Sequence, residues 1–142
     1  GIAEPLTRRL LWSALYDMTR DARLSARRFL AIARDNIVKE RDGEIVRSVM
    51  RNVQAAAGSL LPDAAFPAVA REWFGVARAQ LAAAGSDDTR LLWARFLAFA
   101  AADADSVREL ARMADEGTGV DGFEFDQAIR WSITQRVAEF AD

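Results

Sequence analysis

Apolar side chains recur along this sequence at steps of three and four residues, and the pattern itself returns roughly every 40 residues. That double periodicity restricts the fold more than any other feature. Period-two alternation is almost absent, and proline and glycine fall mostly where helices would break. The spacing predicts a first helix from about Thr7 to Arg20, with Leu11, Leu15 and Met18 on one face beside Trp12. Ser25 is an N-cap for a second helix to about Lys39, with Ala26, Phe29, Leu30, Ala33 and Ile37 inward. Asp42-Gly43 turns into a third, about Glu44 to Leu60, striped by Ile45, Val46, Val49, Val53, Ala56 and Leu60. Pro62-Asp63 opens the connection to a fourth, with Pro67 in its first turn and Val69, Trp73, Ala77, Leu81 and Ala84 on its buried face. The fifth, about Thr89 to Ala102, is apolar nearly all round apart from Arg95, as expected of a helix covered on more than one side. A sixth spans Ser106 to Glu116, with Val107, Leu110, Ala111 and Ala114 inward. Gly117, Gly119 and Gly122 mark a flexible link to a seventh, about Asp126 to Phe140. There Ile129, Ile133, Val137 and Phe140 form the stripe, and the Trp131 side is left partly uncovered.

The repeat is carried by Leu11-Trp12-Ser13-Ala14, Leu92-Trp93-Ala94-Arg95 and Arg130-Trp131-Ser132-Ile133, with a weaker copy around Val49. From position 12 to 49, 49 to 93 and 93 to 131 the steps are 37, 44 and 38 residues. Two helices per unit at this period predict an all-α fold, a HEAT-like α-solenoid of about seven antiparallel helices in two layers. Odd-numbered helices would form one layer and even-numbered ones the other. The tryptophans then serve packing. The competing architecture is a helical bundle without repeats. The expected organisation is one helical-repeat domain over residues 1–142, cut from the C-terminal part of a longer chain that would not begin Gly1-Ile2.

Composition removes whole classes of chemistry. The chain has no histidine and no cysteine, which excludes within it a Ser-His-Asp or Cys-His nucleophile, a thiol redox centre and an ordinary zinc site. Lys39 is the single lysine. Nineteen basic and 21 acidic residues are interspersed, so no concentrated positive field marks a nucleic-acid or membrane partner. The longest apolar candidate, Leu91 to Ala102, is broken by Arg95 and too short to span a bilayer. Zero cysteine fits a reducing, cytoplasmic setting.

Three constellations invite a chemical reading, and each has a simpler one. Asp103-Ala104-Asp105 lacks the later ligands of a calcium loop. Asp87-Asp88 and Asp105 precede helices, where capping accounts for them. Gly117 to Gly122 has neither the preceding strand nor the following lysine of a phosphate cradle. Asp17 and Arg20 are spaced to pair along a helix. The sequence therefore assigns no catalytic, cofactor-binding or metal-ligating residue in this chain.

Four longer segments carry a resemblance. They are Leu11-Trp12-Ser13-Ala14-Leu15-Tyr16-Asp17-Met18-Thr19-Arg20-Asp21, Val46 through Gln54, Gly85-Ser86-Asp87 with Leu92-Trp93-Ala94-Arg95, and Ala128-Ile129-Arg130-Trp131-Ser132-Ile133 after a glycine-rich turn. In this order the chain, from about Leu6 to Phe140, resembles the C-terminal helical domain of bacterial aminopeptidase N, a family of zinc metallopeptidases. The resemblance implies a non-catalytic, bowl-like domain that walls the substrate chamber and limits access. It also implies a zinc-binding catalytic domain with an H-E-x-x-H motif elsewhere in the parent chain, and peptides enclosed by the whole enzyme as substrates. None of those motif residues stands in this sequence. A free-standing helical-repeat scaffold for a protein partner is the alternative.

With no histidine or cysteine to act as ligands, the isolated chain is expected to retain no zinc after dialysis and to hydrolyse no aminoacyl-arylamide. Metal analysis and a chromogenic assay check this, and one equivalent of zinc or chelator-sensitive turnover would contradict it.

Overall fold

A computed structural model describes residues 4–140, and among them seven α-helices and no strand. The all-α expectation holds. The helices are α1 (Pro5–Arg20), α2 (Ala26–Ile37), α3 (Gly43–Ala55), α4 (Phe66–Ala83), α5 (Asp87–Ala100), α6 (Ala104–Glu116) and α7 (Gln127–Phe140). They form two compact units, residues 1–66 and 67–142.

In the first unit α1, α2 and α3 pack on one another. The α2 stripe is as the periodicity predicts, with Phe29, Leu30, Ala33 and Ile37 all buried. Ile45, Val46, Val49 and Val53 do the same for α3. Beyond Ala55 the α-helix widens into a single π-turn, Ala56–Leu60. A π-turn takes about one extra residue per turn, so the stripe slips out of phase there. Leu60, expected inward, is consequently 40 % exposed, and Leu61 is buried in its place.

Helix α1 departs further from expectation. Its buried side chains are Trp12 and Thr19, whereas Leu11 and Met18 are exposed. The helix is apolar on two sides, and aromatic and polar anchors select which one turns inward. The Tyr16 ring lies 5.8 Å from that of Phe29, and the Trp12 indole N–H donates to Glu40 at 3.2 Å. Thr19 can be buried because its hydroxyl donates to the Leu15 carbonyl.

In the second unit α7 packs on both α5 and α6. Contacts between helices two apart, α1 with α3 and α5 with α7, are those a helical-repeat stack makes within a layer. The core centres on Phe96, whose ring meets Trp73 at 5.4 Å, Trp93 at 6.0 Å and Phe99 at 5.7 Å. Trp73, Trp93, Ala77, Leu81 and Leu97 complete it, together with Ala70 and Phe74 of α4, which the sequence stripe omitted. The segment after α6 is fastened rather than loose. Gly117, Gly119 and Gly122 take positive φ, the Thr118 hydroxyl donates to the Phe123 carbonyl at 2.7 Å, and Phe123 and Phe125 are buried.

Only half of the α7 stripe is covered. Ile129 and Ile133 are buried, but Val137 and Phe140 are not. Arg136 donates to the Phe99 carbonyl in the last turn of α5, so residues after it have passed the end of the helix they would pack on. Trp131, on the opposite side, is 63 % exposed.

Phe96 is 1 % exposed with three aromatic neighbours, so Phe96→Ala is expected to cost about 3–5 kcal/mol in reversible denaturation. A loss below about 1 kcal/mol would place the core elsewhere.

Candidate functional site

The carboxylates that might have done chemistry are occupied in ending and starting helices. Ser86, not the aspartates after it, caps α5 by accepting the Thr89 N–H, while Asp87 and Asp88 lie in the first turn. Asp87 pairs with Arg90 at 2.9 Å. Two positions N-terminal to Asp105, Asp103 caps α6, accepting the Ser106 N–H at 2.7 Å and the Arg71 guanidinium at 3.0 Å. Asp105 sits in the first turn against Arg108, and Asp17 pairs with Arg20 at 2.9 Å. Asp126, outside the sequence expectations, accepts the Ile129 N–H at 2.9 Å and caps α7. Its position just before the apolar stripe was the available signal.

Among the described residues no three acidic side chains converge to hold a cation. With histidine and cysteine absent as well, the residues present do not fit zinc. No described helix is long and apolar enough to cross a membrane. The glycine-bearing turn at 117–122 closes on its own Thr118.

One concavity lies within the first unit, a cleft of about 560 Å³ between α1, α2 and the turn after α2. Its floor is Leu11, Trp12, Leu15 and Ile32, and Lys39 and Arg41 stand at its edge. Glu40 is 6 % exposed there, and its carboxylate is taken by the Arg8 guanidinium at 3.1 Å and the Trp12 N–H. A carboxylate so buried and so bonded ties α1 to the turn after α2 as a structural anchor. The geometry supports binding and packing. It assembles no nucleophile with a base.

One electrostatic feature reports on stability. The Ser106 backbone N–H, with help from Arg71, holds the Asp103 carboxyl below its ordinary value against the opposing effect of burial. A depressed folded value means that the cap contributes fully above about pH 5, where the unfolded carboxyl is almost wholly charged. The contribution fades as pH falls through the folded value. Asp103→Ala is expected to cost about 1 kcal/mol at neutral pH and progressively less in acid, whereas Asp103→Asn keeps a cap without the pH dependence. Denaturant melts of the three proteins at pH 7 and pH 3 check this.

The chain is 35% identical over 136 residues to aminopeptidase N of Streptomyces lividans, an alignment covering 95% of this chain and 16% of that protein. The chain thus spans about one-sixth of the length of the curated relative it matches. Residues 1–142 match the family described as the ERAP1-like C-terminal domain. The chain belongs to that family, as a C-terminal domain segment of an aminopeptidase N-like protein.

Proposed function

We propose that this chain is part of the non-catalytic C-terminal domain of a zinc-dependent aminopeptidase, where it walls the substrate chamber and governs access for removal of N-terminal amino acids from peptides. The observation that carries this reading is the family match along the whole chain, joined to identity with an enzyme most of which lies outside the aligned segment. The residues present agree with it. They supply packed helices, engaged carboxylates and no acid–base or nucleophilic set, so hydrolysis and zinc belong to the catalytic domain of the same polypeptide. The partners are that domain and the peptides the whole enzyme encloses, and the setting is the cytoplasm.

A wall acts on substrates by size and by opening, not by bond chemistry. The first requirement is rigidity, which the Phe96 cluster and the helix caps provide within their units. The second is surface that packs against the rest of the enzyme, and Trp131, Val137 and Phe140 are apolar side chains left partly exposed.

The test compares the complete polypeptide with a version lacking the 142 residues, using a small aminoacyl-arylamide and peptides of increasing length. The expected result is retained arylamide turnover with length discrimination changed on the order of tenfold, about 1.4 kcal/mol. Phe96→Ala, assayed below its melting temperature, reads the same profile in a protein that keeps the wall. An unchanged length profile in both would overturn the reading.

A further inference from the structure

The dipeptide Asp-Gly occurs twice, at Asp42-Gly43 and Asp121-Gly122. A glycine after an aspartate opens the pair to ring closure, because no Cβ shields the glycine's amide nitrogen. In that reaction the nitrogen bonds to the aspartate Cγ, and its proton leaves with the carboxyl hydroxyl as water. The product is a five-membered succinimide. Water then adds to one of the two ring carbonyls. Opening at the Cα carbonyl leaves isoaspartate, in which the main chain runs through Cβ and Cγ and the former α-carboxyl becomes the side chain. One water is lost and one is regained, so the change needs no other reactant.

The fold treats the two sites differently. Ring closure requires a free carboxyl and rotation about the aspartate Cα–C bond, and at Asp42 both are blocked. Its side chain accepts the Glu44 N–H at 2.9 Å and the Ile45 N–H at 3.3 Å, and its carbonyl accepts the Val46 N–H at 3.1 Å. Gly43 is the first residue of α3, so rotation there breaks the cap and unwinds the first turn.

Asp121 has none of these ties. It is exposed, as is Gly122, and among the described residues its carboxylate makes no hydrogen bond or ion pair. The Gly122 N–H donates to no described backbone carbonyl. Residues 120–123 form a turn closed by the Phe123 N–H on the Val120 carbonyl at 3.2 Å, with Gly122 at φ 75°. Negative φ at Asp121 followed by positive φ at glycine is the type II pattern. With glycine in the second place, the peptide between them can flip to type I without opening the turn. Rotation about the Asp121 Cα–C bond therefore sacrifices no helix cap.

We propose that Asp121-Gly122 is a site of spontaneous isoaspartate formation in the folded protein, and that Asp42-Gly43 is held out of the same reaction by its cap. The change inserts one main-chain atom two residues before Phe123, in the link that Phe123 and Phe125 fasten by burial and Thr118 by its bond to the Phe123 carbonyl. The connection between α6 and α7 thus lengthens as the protein ages.

The complete polypeptide is held at neutral pH and warmed for several weeks, folded and in denaturant. Peptides spanning 42–47 and 113–130 are then analysed by mass spectrometry with electron-transfer fragmentation, which tells isoaspartate from aspartate. The expected result is isoaspartate forming about tenfold faster at 121 than at 42 in the folded polypeptide, and at similar rates at both sites in denaturant, because reaction at 42 waits for local opening. Asp121→Glu, one methylene too long for the five-membered ring, is expected to abolish the signal at 121. Asp121→Asn, which expels ammonia instead of water, is expected to raise it. Formation at 42 as fast as at 121 in the folded polypeptide overturns the proposal, and so does protection of 121 by folding. A difference that persists in denaturant also overturns it, since sequence neighbours rather than the cap would then set the rates. These readouts need no substrate, so they stand apart from the proposed function.

Discussion

Seven helices in 137 described residues must each stop and restart within a few positions, and every restart bares backbone N–H groups that need an acceptor. That constraint organises the chain's polar chemistry. Ser25, Asp42, Ser86, Asp103 and Asp126 each place a side-chain oxygen on the first-turn amides of α2, α3, α5, α6 and α7. Each cap contributes about 1 kcal/mol, a fair share of a domain's net stability. The same requirement fits the finding that, among the described residues, no three acidic side chains converge: several carboxylates are committed to helix ends or to guanidinium partners one turn away.

Much of this was legible because capping and apolar spacing are local. Ser25 and Asp42 announce their helices, and the α2 stripe of Phe29, Leu30, Ala33 and Ile37 needs only the 3.6-residue period. Where the reading failed, the deciding information was not local. Leu60 turned outward because a π-turn changed the phase of its helix, which a fixed period cannot anticipate. Phe123 and Phe125 were hidden in what read as a glycine link, since two aromatics outside any periodic run carry no stripe.

Helix α1 is the instructive failure. Its sequence is apolar on two sides, so periodicity identifies the helix without ranking its faces. The choice falls to Trp12 reaching Glu40 and Tyr16 reaching Phe29, partners 28 and 13 residues away. The sequence groups Leu11, Leu15 and Met18 on one face beside Trp12, and the fold buries Trp12 but leaves Leu11 and Met18 exposed. Val137 and Phe140 make the same point at α7, where a correct stripe outruns its neighbour.

Taken with the family assignment, these misses have a common physical sense. A self-contained domain of this size would turn its larger aliphatics inward and finish its ends with polar faces. Here Leu6, Leu10, Leu11 and Met18 on α1, and Trp131, Val137 and Phe140 on α7, are left between 38 % and 63 % exposed. The sequence pattern is therefore written for more neighbours than each unit contains. Substitutions at Phe96 or Asp103 act through the stability of the second unit itself, while those on the exposed faces remove less buried contact. The two kinds of residue separate on burial.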